Sequence, residues 1–204
     1  GIEIRPIVEM TGAHNFTEVF LTDVRIPHDL LVGEVNQGWR LAKVTLANER
    51  VSLSSGGALW GMGPDAQDLL DVIRGAGGLT DPIERQRAAD LHIESEILRL
   101  IRLRTVTAAI KGRQPGPEAS IRKILADEHG QRIMGLAKDL AGPAGMLPSG
   151  GPVGTDVNLW HYGYLFAQAL TIGGGTGDVQ RNIVAERVLG LPHDVDVEQG
   201  RTWS

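Results

Sequence analysis

The residues best placed to do chemistry lie in Leu170-Thr-Ile-Gly-Gly-Gly-Thr-Gly-Asp-Val-Gln-Arg-Asn-Ile-Val-Ala-Glu-Arg-Val-Leu-Gly-Leu-Pro192. Three consecutive glycines, Gly173 to Gly175, end an apolar run, and Thr176 then opens a helix as its N-cap. Asp178 puts negative charge in the first turn, where the helix dipole favours it. Val184, Val188 and Leu191 follow at i, i+4 and i+7, and Pro192 closes the segment. Glycines before a helix N-terminus admit a ligand close to the backbone, and free N–H groups there bind anionic oxygens. The same pattern equally describes a sharp turn between two packed helices. Elsewhere, Glu49 beside Arg50 reads from its spacing alone as a solvated pair on a helix surface.

Two stretches resemble one known family. The segment around Thr176 closely resembles the C-terminal signature of the acyl-CoA dehydrogenases, G-T-(S)-x-x-Q-R-N-I-x-A-E-R-V-L-G-L-P. Near the start, Asn15-Phe-Thr-Glu-Val-Phe-Leu-Thr-Asp-Val-Arg-Ile-Pro27 and Leu31-Val-Gly-Glu-Val-Asn-Gln-Gly-Trp39 resemble the end of that family's middle β-domain. The order and separation of the motifs are those of the family, and the likeness covers nearly the whole chain. It corresponds to the second half of such an enzyme, so the chain looks like a fragment or an excised domain.

The resemblance implies removal of an acyl-CoA α-proton by a carboxylate while the β-hydrogen leaves as hydride to FAD. Reduced flavin then needs an electron acceptor as a further partner. In many relatives the base precedes the G-T of the signature; here that position is Gly174, which has no side chain. A minority, including the long-chain and isovaleryl-type enzymes, carry the base on the first helix of the C-terminal domain. The matching residue in Thr45-Leu-Ala-Asn-Glu-Arg50 is Glu49. An apolar pocket would raise the pKa of such an acid toward neutrality. The Gly174 N–H remains available to polarise the thioester carbonyl, which needs no side chain. Gly173 replaces an aromatic found in some relatives and widens the pocket, and Gly175 completes its floor. Arg50 matches an arginine near the CoA moiety.

The cofactor positions are retained unevenly. Thr176 and Asp178 fall where relatives touch FAD. Gln86 matches the glutamine of a helical H-Q pair, with Arg85 in place of the histidine. The Q-x-x-G-G-x-G loop appears as Asp139-Leu-Ala-Gly-Pro-Ala-Gly145, keeping Gly142 and Gly145 but placing an acid where glutamine is usual. The R-x-x-F-G segment that clamps the partner's FAD is missing, and only Arg74 stands nearby. Lacking the remaining β-domain strands, these residues alone are expected to bind FAD weakly or not at all.

Composition bounds the remaining classes. At 204 residues, with 42% hydrophobic and 22% charged residues, the chain can bury a real core. A net charge of −5 argues against nucleic acid as the main partner, and so against a DNA-associated branch of the family. There is no cysteine, and the six histidines (His14, His28, His92, His129, His161, His193) show no ligand spacing, so no metal site is expected. The glycine run lacks a lysine and follows a helical pattern, which excludes a P-loop or dinucleotide fingerprint. The four tryptophans, Trp39, Trp60, Trp160 and Trp203, suit cores or interfaces. No apolar run approaches a membrane span and no signal peptide is visible, giving a cytoplasmic expectation.

The expected architecture is mainly α: an up-down four-helix-type bundle over residues 38–204, preceded by terminal strands of a β-domain over 1–37. Ile2, Ile4 and Val8 alternate with Glu3 and Arg5, and Val19 and Leu21 with Glu18 and Thr22, with Thr11 to Asn15 as the turn. The first helix is expected from Trp39 through Trp60, resuming after Pro64 to near Arg74. A second, starting at Asp81-Pro82 with Glu84 three residues on, turns Ile93, Ile97, Leu100 and Ile101 inward and ends near Gly112. A third carries Ile133, Leu136, Ala137 and Leu140 on one face, and helices over about 156–171 and 176–190 follow. Such bundles assemble in the family as dimers or tetramers, and an assembly subunit whose partner holds the working site is the alternative to a catalytic chain.

Overall fold

The computed structural model describes residues 1–53, 59, 61–113, 116–147, 159–193 and 195, without the side chains of 47–53. Two strands, β1 (Ile2–Ile7) and β2 (Phe16–Leu21), pair antiparallel from Ile2 opposite Leu21 to Ile7 opposite Phe16. The Glu9 carboxylate closes the connection by accepting from the Asn15 N–H at 2.6 Å. Every residue of the two strands is exposed, and they pack substantially only on each other. Two strands alone cannot hide an apolar face, which is why Ile2, Ile4, Val19 and Phe20 stay in contact with solvent.

Helices follow: α1 (Gly38–Leu53), α2 (Ala66–Gly75), α3 (Pro82–Ile110), α4 (Ala119–Ala141), α5 (Leu159–Phe166) and α6 (Gly177–Arg187). A 3₁₀ turn over Gly142–Met146 follows α4, and another over Ala167–Thr171 extends α5. Local chemistry sets the boundaries. Asp65 and Asp68 form a reciprocal capping box at the start of α2. Asp81 accepts from the Ile83 and Glu84 N–H groups with Pro82 at the first helical position, starting α3 where the sequence places it. The first long helical region is two helices, because α1 ends its described course at Leu53 and α2 is capped afresh at Asp65. Trp60, Trp203 and the 148–152 loop lie outside the described residues.

All five other helices pack on α4. The core joins Leu59, Leu69, Ile73 and Leu91 to Ile133, Met134, Leu136 and Ala137 of α4, then to Phe166 and Leu170. Gly163 makes the close α5–α4 approach possible: a Cβ there would lie 2.5 Å from Met134 Sδ. The expected face of α4 is buried, with Leu140 half-buried at its end. On α3 the expectation fails. Ile93, Ile97 and Leu100 are 55%, 44% and 56% exposed, and only Ala88 and Leu91 are buried. The apolar period of α3 is real, but the described residues leave most of it uncovered. Among the described residues no helix is long and apolar enough to cross a membrane.

Candidate functional site

The glycine turn is held from beneath by polar side chains of α4. Lys123, only 2% exposed, pairs with the Asp127 carboxylate at 2.5 Å and donates to the Leu170 carbonyl at 3.2 Å. Two turns further on, the Gln131 amide donates to the Ala167 carbonyl at 3.1 Å and to Thr171 Oγ1 at 3.2 Å. The 3₁₀ segment leading into the glycines is therefore fixed at three points, two carbonyls and a hydroxyl. Burial pushes the Asp127 carboxyl up to about 6, while the Lys123 ammonium draws it down.

Beyond that segment the backbone turns through Gly174 at φ 64° and Gly175 at φ 94°, conformations that favour glycine. The Gly173 N–H bonds the Ala169 carbonyl at 2.9 Å. The N–H groups of Gly174 and Gly175 have no acceptor among the described residues. Thr176 caps α6 as expected, accepting from the Val179 N–H at 3.3 Å, and Asp178 sits in the first turn. Beside this helix start, an open cleft of about 210 Å³ is lined by Thr171, Thr176, Gly177, Asp178, Arg181 and side chains of α4. Arg181 is already shared between Glu128 at 2.6 Å and Asp178 at 3.2 Å. With Asp127 also on the wall, the cleft holds more carboxylate than cation.

The other sequence-derived positions are dispersed. Arg74, exposed at the end of α2, pairs with Asp71 at 2.5 Å. Gln86, exposed in the first turns of α3, donates to Asp90 at 3.1 Å. Asp139 bonds Arg87 of α3 at 2.7 Å, so the acid that replaces the usual glutamine has its own cation. Gly142 ends α4 at φ 55°, and the carbonyl of buried Gly145 lies 3.1 Å from His161 Nδ1. Glu49 and Arg50 belong to the backbone of α1, which packs on α4, but their side chains lie outside the described residues. The structure thus brings together Gly173, Gly174, Gly175, Thr176 and Asp178 and leaves Arg74, Gln86 and Asp139 apart. Among the described residues no group of three or more acidic or histidine side chains could hold a metal. Lys123, Asp127, Gln131 and Gln180 escaped the sequence reading, since a charged or amide residue inside a helix normally signals a solvated face.

A family model for the acyl-CoA dehydrogenase C-terminal domain matches residues 36–189. The chain belongs to the acyl-CoA dehydrogenase family. It is 36% identical to the acyl-CoA dehydrogenase FadE34 of Mycobacterium tuberculosis, over 94% of this chain and 25% of that protein. It is 37% identical to the acyl-CoA dehydrogenase IpdE1 of the same organism, over 95% of this chain and 49% of the relative. Among solved acyl-CoA dehydrogenase structures, the Tcur3481-Tcur3483 steroid ACAD superposes with a TM-score of 0.80 at 26% identity, over 95% of this chain and 50% of that one. The ChsE4-ChsE5 complex of Mycobacterium tuberculosis gives 0.76 at 28% identity, over 95% and 51%. The chain spans about half the length of these relatives, and a quarter of FadE34.

Proposed function

We propose that this chain is the C-terminal half of an FAD-dependent acyl-CoA dehydrogenase, with residues 1–37 as the end of the β-domain and 38–204 as the helical domain. Its reaction is α,β-dehydrogenation of an acyl-CoA thioester. The observation that carries the reading is the glycine turn, where two adjacent N–H groups have no acceptor among the described residues, on a backbone pinned from below. Such donors suit a carbonyl oxygen that gains charge as the α-proton leaves. Gly174 supplies the N–H next to the reacting centre, Gly173 and Gly175 floor the pocket, and Arg50 meets the CoA portion. Glu49 is the base: it lies on α1, which shares α4 as its support with the turn.

FAD fits this chain only in part. The Thr176 side chain already accepts from Val179, so its O–H is left to donate to a sugar or ribityl hydroxyl, with Asp178 beside it as an acceptor. The surplus of carboxylates around Arg181 does not suit a pyrophosphate, and Arg74 is committed to Asp71. The phosphates must therefore be held mainly by other segments; Gln86 is assigned a place near FAD, and Asp139, Gly142 and Gly145 are assigned to the neighbouring subunit's cofactor. When bound, the flavin supplies the hydride acceptor for the β-hydrogen, and a separate electron acceptor reoxidises it. Titrating FAD calorimetrically against the isolated chain should give weak or no binding.

The substrate class we favour is a bulky acyl thioester. Gly173 leaves space where an aromatic stands in other members, and one of the similar structures is that of a steroid ACAD. The exposed apolar faces of α3 and the hairpin, together with relatives solved as paired proteins, support a dimer or tetramer, homo- or heteromeric. They also favour a second reading, in which the chain serves assembly and a partner holds the working site.

Glu49→Gln in the full-length protein separates the two. Loss of the general base should lower turnover by about two to four orders of magnitude with FAD content unchanged. Undiminished turnover in that variant would leave only the assembly reading.

A further inference from the structure

Gln180 is the most completely buried polar side chain near the turn, at 0% exposure, and no role falls to it in the chemistry above. It sits in the first turns of α6, where its backbone N–H bonds the Thr176 carbonyl at 3.0 Å. Its side chain reaches back past the helix start, and Nε2 donates to the Gly174 carbonyl at 3.2 Å. The amide orientation follows from that partner, since only the NH₂ end can face a carbonyl oxygen. Gly175 makes room for it: a Cβ there would lie 2.4 Å from Nε2.

At the other end of the amide, Gln180 Oε1 is buried with no hydrogen-bond partner among the described residues. Buried polar atoms are normally satisfied, and methionine would fill a similar volume without that cost. What glutamine adds over methionine is the bond to Gly174. That bond matters because of where it falls. The Gly173 N–H is tied to the Ala169 carbonyl on one side of the turn, and the Gly174 carbonyl is tied to Gln180 on the other. The peptide between them carries the free Gly174 N–H. Because the peptide is planar and trans, a Gly174 carbonyl held inward turns the Gly175 N–H outward, and the two anchors together limit the rotation of the peptide between them, at a glycine that would otherwise explore both signs of φ.

We propose that Gln180 is a positioning residue, whose amide holds the Gly174 carbonyl inward and so fixes the turn that presents the Gly174 and Gly175 N–H groups to the substrate's thioester carbonyl. This rests on the acyl-CoA dehydrogenase reading of the same turn.

The test uses the full-length enzyme with Gln180→Met and Gln180→Asn. Methionine keeps the volume and loses the donor; asparagine keeps the amide but withdraws it from Gly174. Carbonyl polarisation is read directly from the red shift in absorbance of a dimethylaminocinnamoyl-CoA thioester on binding, alongside kcat and KM. Both variants should lose most of the red shift and roughly 10- to 100-fold in kcat, less than the roughly 100- to 1,000-fold that follows outright removal of an oxyanion donor because here the donors are misaimed and not removed, with KM nearly unchanged. A Met variant with full red shift and kcat would reduce Gln180 to a space filler and overturn the proposal. Should that variant not fold, the Asn variant decides alone, a full red shift again being the overturning result. A wild-type enzyme that neither shifts the probe nor turns over acyl-CoA would instead sink the functional reading itself.

Discussion

Two long helices with comparable apolar patterning meet opposite fates. On α4, nine residues are buried, and they include Ser120, Lys123, Asp127 and His129. On α3, which has 29 residues, two are buried, while Ile93, Ile97, Leu100, Leu103 and Val106 face outward. The contrast runs against hydrophobicity alone, since lysine and aspartate are inside and isoleucine is out. On α4 the buried Lys123–Asp127 pair reaches across to the 3₁₀ segment and holds the Leu170 carbonyl. On α3 the exposed stripe has no covering neighbour among the described residues, and a patch of that kind marks a surface made to be covered. The lesson is that polarity was drawn into the core where a backbone turn had to be held, and apolar surface was left outside where a second body can meet it.

The sharpest way to break this contrast is to remove the buried cation. Lys123→Met leaves the Asp127 carboxylate uncompensated and the Leu170 carbonyl without its donor. It should cost about 3–5 kcal/mol, measured by chemical denaturation, whereas replacing both partners with apolar residues should recover most of it. Truncating the apolar part of the same helix comes next. Leu136→Ala should cost about 2–5 kcal/mol, since the side chain is fully buried among core neighbours.

A pH titration sharpens the point further. The folded Asp127 carboxyl, held up at about 6 by burial, binds its proton more tightly than an unfolded one titrating near 3.8. Its contribution to stability is therefore fully present below the lower value and lost as the pH rises toward the upper one. Thermal melting of wild type and Asp127→Asn across that window should show the slope in the first and its absence in the second. The smallest effect belongs to α3: Ile97→Ser should change the stability of a single chain by no more than about 0.5 kcal/mol. The same variant should lower the particle mass that light scattering reports for the proposed assembly, and an unaltered mass would remove α3 from the interface.

Much of the architecture was legible in the residues. The alternation of Ile2 and Ile4 is realised in a hairpin ladder with a single tight connection, and the Asp81-Pro82 helix start and the Thr176 cap are settled by hydrogen bonds within a few residues. The glycine turn was legible for the same reason, because Gly174 and Gly175 adopt backbone angles that other residues resist. The sequence also carried the family signature, and with it the proposed roles of Glu49 and Gly174.

Only the tertiary structure decided which apolar stripes are covered and which polar residues are buried. Ile133 and Ile97 share a residue type and a helical setting, yet one is 1% exposed and the other 44%, according to what packs opposite. Lys123 and Asp127 at i, i+4 look like an ordinary surface pair until the Leu170 carbonyl arrives from 47 residues away. Gln180 in the signature helix gives no hint that its amide turns back to Gly174. The physical reason is common to all of them: caps and turns are short-range and written locally, whereas burial and long-range hydrogen bonds belong to the neighbours that folding brings together.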